Sequence, residues 1–301
     1  NLTLVVDPEH ALSLVRKLHQ LLIASQAENR PEFGPSWTEL TRIIPAPGVP
    51  APWWRGKAET LLQLMQGRDS AYVYDLGTAA AAARRLGGLK SVSRILYAVK
   101  SNDHSGLLSA LWAEGTGFEC VSLDELEYVL ENVPGVAPED LLFTPNFAPR
   151  AEYEKAMGMG VRVTVDNSWV IQRWPDLFRG QEIFLRLDLE TGYGHHKKVI
   201  TSGADSKFGI SLEHLGSVTE TLAKQGAKVT GLHTHTGSGV TNADVWQEQL
   251  ERFLEVLPLF PDVTILDLGG GLGVPDRRGK PGFDLQRLDE LLKESLGELG
   301  L

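Results

Sequence analysis

The chain has 301 residues, enough for a sizeable buried core, and its 42% hydrophobic and 23% charged residues are ordinary for a globular protein. A net charge of −10 without any Lys/Arg-rich tract argues against nucleic acid or an anionic membrane as the partner. No apolar run reaches membrane-spanning length, and the single cysteine, Cys120, excludes an intrachain disulfide and favours a reducing compartment such as the cytoplasm.

Two segments precede the main domain. Residues 1–23 predict a strand followed by an amphipathic helix that begins at Asp7-Pro8. This pair resembles the end of the regulatory ACT domain of aspartate kinases, although a generic strand-helix pair has the same pattern. Residues 24–69 are rich in proline and tryptophan and predict an extended linker at a domain boundary. Because the chain opens on Asn1 and has no evident stop, we expect it to be part of a longer polypeptide.

From residue 70 to 301, short apolar runs alternate with helical patterns. Strands are predicted at 71–74, 94–99, 117–121, 141–144, 161–165, 182–189, 228–235 and 263–268. Helices are predicted at 77–87, 105–114, 123–132, 150–158, 211–225 and 243–256. The alternation indicates an α/β fold with buried parallel strands. Seven strand-helix units from residue 94 favour a (β/α)8 barrel without its last unit over a doubly wound sheet, so functional residues are expected where strands end.

The predicted strand at 94–99 is followed by a lysine, Lys100, in the run "ILYAVKSN". A lysine withdrawn from water at a barrel mouth has a lowered pKa, and its neutral amine can attack an aldehyde to form a Schiff base. The alternative is a lysine whose stem packs on the strand end while its ammonium group stays in water.

Two later strand ends carry further candidates. The segment "HTHTGSG" contains His233, His235 and Ser238, and we expect only one of the two imidazoles to face the mouth of the barrel. A zinc pair formed by these histidines, with His195-His196 nearby, is the alternative. The segment "DLGGGLG" contains Gly269, Gly270 and Gly271, whose N–H groups can surround a phosphate. An amine for an aldehyde and a cradle for a phosphate together point to pyridoxal 5′-phosphate.

As a set, "YAVKSN", "GTGFECVSLDEL", "SKFGI", "HTHTGSG" and "DLGGGLG" resemble the fold-type III pyridoxal-phosphate decarboxylases from about residue 70 onward. Within them, "GYGHHKKVITSGADSKFGI" at 192–210 looks most like diaminopimelate decarboxylase. Together with the ACT-like segment, the resemblance extends to the fused, multifunctional aspartate kinase/diaminopimelate decarboxylases.

The resemblance implies a role for each matching residue. Lys100 would form the Schiff base with the cofactor, and His235 would stack on its ring. Arg186 would lie near the phenolic oxygen and Glu119 beside the ring, while His233 would have a structural role. The groups around the phosphate would be Ser238, Gly269, Gly270 and Gly271.

The implied reaction is decarboxylation of meso-2,6-diaminopimelate to L-lysine and CO2, the last step of lysine biosynthesis, in a homodimer with a shared active site. The sequence departs from the family pattern, because it lacks the Glu-Pro-Gly-Arg motif and the C-terminal β-domain, so we expect the chain alone to be inactive. The alternatives are an ornithine, arginine or carboxynorspermidine decarboxylase, a catalytically silent homologue, and a cofactor-carrying single-domain barrel.

Overall fold

The computed structural model describes residues 53–68, 70–189, 208–274 and 282–298. By compactness the chain divides into two units, residues 1–55 and residues 56–301. The predicted strand-helix pair at 1–23 and the linker residues 24–52 lie outside the described residues. The described part of the linker is helical rather than extended, with a 3-10 helix at Trp53–Lys57 followed by α1 at Ala58–Leu64. The prolines end at residue 52, and the segment "AETLLQL" consists mainly of good helix formers.

The central element is a parallel sheet. Its strands are Leu96–Ala98 (β1), Gly117–Cys120 (β2), Leu141–Phe143 (β3), Arg162–Val165 (β4), Glu182–Asp188 (β5), Ile210–Ser211 (β6), Lys228–His233 (β7) and Ile265–Asp267 (β8). Their order is β1-β2-β3-β4-β5-β7-β8, with β6 paired to β5, and each of these pairings is parallel. All carboxyl ends therefore meet at one edge of the sheet.

Helices connect the strands. They are Leu76–Gly87 (α2), Ser105–Trp112 (α3), Leu123–Asn132 (α4), Arg150–Gly158 (α5), Ser168–Arg173 (α6), Leu215–Lys224 (α7), Asp244–Val256 (α8) and Leu285–Glu298 (α9). This succession confirms the (β/α)8-like fold and excludes the doubly wound order, because the strands follow one another across the sheet in chain order. Among the described residues, no helix is both long and apolar enough to cross a membrane.

One predicted strand is wrong and one strand was missed. Residues 71–74 form no strand in the described structure, and Tyr72 is 91% exposed. Their aromatic and β-branched composition stabilises a strand only when a neighbouring strand pairs with it. The missed strand β6 has two residues, too few for an alternating pattern to be detected.

The core lies between the outer face of the sheet and the helices. Val163 and Val165 of β4 are buried in the same apolar cluster as Tyr153 of α5, whose ring meets Phe143 edge-on. Because alternate strand residues lie on opposite faces, Thr164, which lies between these two valines, faces the interior of the barrel. The interior face of β4 therefore carries a buried polar group, while its outer face is apolar.

The last described helix is attached to the segment that enters the first strand. Asp289 of α9 accepts hydrogen bonds from the backbone N–H groups of Lys90, at 2.7 Å, and Ser91, at 2.8 Å. The Ser91 hydroxyl donates a third, at 2.8 Å, to the same Oδ1. These contacts join Asp289 to two residues that lie 199 and 198 positions earlier in the chain. They fix the segment that leads into β1, the strand before Lys100.

Candidate active site

Lys100 lies in the 3-10 turn Val99–Ser101, directly after β1. With Glu125 and Tyr74 it lines a cavity of about 340 Å³, completed by Val99, Ser101, Asn102 and Asp103. The lysine is exposed in the described structure, so the withdrawal from water on which the sequence argument relied is not found. An amine at the edge of a cavity is nevertheless accessible to a ligand aldehyde.

Glu125 places a carboxylate beside Lys100. It lies in the first turn of α4, where the Ser122 hydroxyl accepts a hydrogen bond from its N–H at 3.2 Å. The carboxylate in turn accepts the N–H of Val121 at 2.8 Å. Burial raises the pKa of Glu125, partly offset by the Val121 hydrogen bond. Sequence reasoning missed this residue, although the Ser-x-x-Glu capping pattern after β2 was a detectable signal.

Glu119 projects from β2 at the register position of Ala98, two residues before Lys100. Its carboxylate accepts a hydrogen bond from the hydroxyl of Thr144, which directly follows β3. This contact bridges neighbouring strand ends and fixes the half-buried carboxylate.

Arg186, His233 and Asp267 form a row across three neighbouring strands. Arg186 of β5 is the register partner of His233 on β7, which is the register partner of Asp267 on β8. The Arg186 side chain is buried, donates to Asn146 Oδ1 at 3.3 Å and lies 4.9 Å from the ring centre of Phe208. Burial lowers the pKa of Arg186, opposed by the surrounding carboxylates.

Both histidines face the same region. Burial is the main cause that lowers the pKa of His233 and His235 to about 3, and the positive charges of Arg186 and Lys100 lower both further. The expectation that only one imidazole faces the mouth is wrong, because residues two positions apart on an extended strand share a face. Both imidazoles are therefore neutral at physiological pH.

The glycine loop packs against the loop that follows β7. Gly269 donates its N–H to Asp267 Oδ1 at 2.8 Å, and Gly270 donates to His235 Nδ1 at 3.4 Å. Gly269 and Gly271 have φ angles of +68° and +90°, and a Cβ on either would overlap backbone atoms of the β7 loop. These two glycines are thus required by the packing of two loops, which the sequence argument had ascribed to ligand approach. Of the three glycines, Gly270 alone leaves the space for a Cβ open.

The residues present fit pyridoxal phosphate. Lys100 supplies an accessible amine, and the exposed Ser238 supplies a hydroxyl for an anion. On the neighbouring loop, the Gly270 N–H makes only a long hydrogen bond, of 3.4 Å, to His235 Nδ1. Buried polar atoms without a hydrogen-bond partner among the described residues include His233 Nδ1 and both carboxylate oxygens of Asp166.

The zinc alternative has no support in the described residues, where no group of three or more His, Cys, Asp or Glu side chains could hold a metal ion. His195 and His196 lie outside the described residues. Cys120 is a free thiol, completely buried in the core, and burial raises its pKa. It is a residue of the apolar core.

A second cavity, of about 360 Å³, lies at the opposite, amino-terminal ends of the strands. Its lining includes Arg162, Glu182 and Thr264, each at or before the start of a strand. In barrels of this type that end contributes to stability rather than to chemistry. The residues at the carboxyl ends of the strands, around Lys100, Arg186 and His235, therefore form the candidate active site.

Asp166 was also missed by sequence reasoning. It immediately follows β4 and is only 3% exposed. The rule that drew attention to Lys100, a charged residue directly after an apolar strand, applies equally to "VRVTVD". Asn146, which bonds Arg186, gave no such signal because polar residues are usual in loops.

Comparisons with known proteins show the family to which the chain belongs. Residues 79–300 match the family model described as "Pyridoxal-dependent decarboxylase, pyridoxal binding domain". A diaminopimelate decarboxylase from Methanothermobacter thermautotrophicus is 29% identical over 228 residues, which cover 72% of the chain and 53% of that protein. An ornithine decarboxylase from Leishmania donovani is 26% identical over 237 residues, covering 77% of the chain and 33% of that protein.

Among solved structures, diaminopimelate decarboxylase from Helicobacter pylori complexed with L-lysine is similar, with a TM-score of 0.70 at 20% identity. The match covers 80% of the chain and 64% of that structure and supports the shared fold. The chain spans about half the length of the diaminopimelate decarboxylases it matches. Since the family model covers most of the sequence and the fold agrees, the chain belongs to the pyridoxal-dependent decarboxylases, whose pyridoxal binding domain it contains.

Proposed function

We propose that the full-length protein decarboxylates meso-2,6-diaminopimelate to L-lysine and CO2, with pyridoxal phosphate held by the barrel described above. The observation that carries the proposal is the coincidence of the family match with Lys100 at the end of β1, beside a cavity. Diaminopimelate decarboxylases from several organisms are among the relatives of the chain, which supports this substrate.

Each residue of the cluster has a defined task in this proposal. Lys100 Nζ would hold the cofactor through its aldehyde. When bound, the cofactor withdraws electrons from the bond between the α-carbon and the carboxylate. The neutral imidazole of His235 would pack against the ring without adding a positive charge. The Ser238 hydroxyl would bind the phosphate, together with the Gly270 N–H once it exchanges its 3.4 Å hydrogen bond to His235 Nδ1 for a phosphate oxygen.

Glu119 and Arg186 orient the ring. Arg186 is a buried cation whose N–H groups can donate to the phenolic oxygen of the cofactor. Glu119 is held by Thr144 and can accept a hydrogen bond from the edge of the ring. Both side chains lie on the interior side of the sheet, where Arg186 and His233 are buried.

A second candidate is the decarboxylation of ornithine or arginine. The Leishmania ornithine decarboxylase supports it, as does the fold similarity to an arginine decarboxylase from Paramecium bursaria Chlorella virus, with a TM-score of 0.66. A CO2-release assay on the full-length protein with the three amino acids distinguishes them. Diaminopimelate should give the highest kcat/KM, and a preference for ornithine or arginine would contradict the proposal.

The upstream region and the assembly are also proposals. The ACT-like pattern of residues 1–23 supports a fused aspartate kinase, and sequencing the reading frame upstream of Asn1 tests it. Absence of a kinase there would contradict the fusion. A homodimer with a shared active site is proposed from the family resemblance, and sedimentation of the full-length protein tests it, since a monomer would exclude it.

A further inference from the structure

The interior of the barrel contains a buried charge to which the proposed function gives no task. Asp166 directly follows β4 and is 3% exposed, and neither carboxylate oxygen has a hydrogen-bond partner among the described residues. Burying a carboxylate without hydrogen bonds is costly, so such a residue calls for a compensating charge.

The register of β4 and β5 aligns Arg186 with Asp166. The last paired residues of β4 and β5 are Val165 and Leu185, and the next residues along the two strands are Asp166 and Arg186. Paired residues of parallel strands point to the same side of the sheet, which for Thr164 and Arg186 is the barrel interior. The carboxylate and the guanidinium thus occupy aligned positions on neighbouring strands, and the positive charge of Arg186 favours the charged form of Asp166, although no hydrogen bond joins the two groups in the described structure.

Arg186 also needs a further partner. Its guanidinium carries five N–H donors, and among the described residues its hydrogen bond is the one to Asn146, at 3.3 Å. Arg186 is only 8% exposed, so water cannot satisfy most of these donors. A long hydrogen bond of this kind does not fix the plane of a guanidinium, whereas a carboxylate that accepts hydrogen bonds from it does. The Asp166 carboxylate makes no hydrogen bond among the described residues and can take this part.

We propose that Asp166 is a positioning residue that holds the Arg186 guanidinium toward the cofactor in the mouth of the barrel. The inference rests on the proposed function, because Arg186 acts there on the cofactor. It gives Asp166 a role through Arg186 and not through direct contact with the substrate.

The protonation of Asp166 makes the inference testable. Burial raises the pKa of Asp166 to about 6, against the opposing attraction of Arg186. The carboxylate is therefore charged above about pH 6 and neutral below it, and it positions Arg186 only when charged. The titratable and charged groups around the pair are Tyr153 on α5, Glu119 on β2, Asp188 on β5, His233 on β7 and Asp267 on β8.

The experiment compares pyridoxal phosphate affinity of the full-length protein and of Asp166→Asn from about pH 5 to about pH 7.5, by absorbance titration after cofactor removal. The ratio of the two dissociation constants cancels the titration of the cofactor itself. We expect a ratio near one at the acidic end and a loss on the order of tenfold in Asp166→Asn at the upper end, a typical size for a residue that orients a binding group. A ratio that does not change with pH overturns the inference.

Thr164→Val is the matched control. Its hydroxyl is buried on the same face of the same strand, two residues away, and has no partner among the described residues. We expect its affinity to follow the wild type at every pH. If Thr164→Val loses affinity as Asp166→Asn does, the effect is one of packing and the inference fails.

A double-mutant cycle tests whether Asp166 acts through Arg186. In an Arg186→Gln background, Asp166→Asn should change the affinity by less than about twofold, and an undiminished effect would contradict the inference. If Asp166→Asn does not fold, Arg186→Gln alone decides: its loss of affinity must be greater at the upper end of the pH range than at the acidic end. A wild-type protein that binds no cofactor at any pH overturns the proposed function as well, whereas a flat ratio with a binding wild type overturns only this inference.

Discussion

The backbone carbonyl of Gly237 fills the space that a Cβ on Gly271 would occupy. The loop after β7 and the glycine loop after β8 therefore touch backbone to backbone. Val240 donates its N–H to Gly271 O at 3.0 Å, and Gly273 donates to Val240 O at 2.7 Å. These backbone contacts keep the two loops of the proposed phosphate site together.

Gly271→Ala should disrupt the backbone contacts between these two loops. The new methyl group meets the Gly237 carbonyl, and the φ angle of +90° is itself unfavourable for alanine. We expect a loss of about 2 kcal/mol or more in the free energy of unfolding, measured by urea denaturation. Gly270→Ala is the matched control, since its Cβ meets no atom within 4 Å, and its stability should stay close to the wild type. Equal effects at both positions would contradict the packing argument.

Asp289→Asn should loosen the attachment of α9. The hydrogen bonds from Lys293 and from Ser91 lower the pKa of Asp289 below its ordinary value of 3.8. A lowered carboxyl pKa stabilises the fold above pH 3.8, and this contribution is lost as the pH falls from there toward the lowered value. At neutral pH the unfolding temperature should therefore be lower in the variant than in the wild type. Glu290→Gln, on the same helix, is the control, and a comparable change in it would refute a special role for Asp289.

The buried His233 should make stability depend on pH. Its folded-state pKa of about 3 lies below the ordinary value of 6.5, so between these values the unfolded chain binds the proton more strongly. Stability is then lost as the pH falls from about 6.5 toward 3. Replacing His233 with glutamine should reduce the slope of unfolding free energy against pH by up to about 1.4 kcal/mol per unit between about pH 4 and 6. Identical slopes in the two proteins would show that His233 is not buried in its neutral form.

Seven of the eight strands could be predicted because short, mainly apolar segments rich in β-branched residues, such as "VRVTV" and "EIFLRLDL", are visible in the sequence. The two-residue β6 and the unpaired segment 71–74 could not, since both depend on pairing with distant residues. The same limit applies to the site. Lys100 and the glycines are visible as local patterns, whereas the alignment of Asp166 with Arg186 on neighbouring strands follows only from strand register. The exposure of Lys100 likewise depends on surroundings that sequence does not specify.

The central claim is that Lys100 holds the cofactor, and its most direct test is to locate the attachment. The full-length protein is incubated with pyridoxal phosphate, reduced with borohydride, digested and analysed by mass spectrometry. We predict a phosphopyridoxyl group on the peptide that contains Lys100, retained in a Lys90→Ala control and absent in Lys100→Ala. A label on another lysine of the wild type, or an undiminished label in Lys100→Ala, would contradict the account.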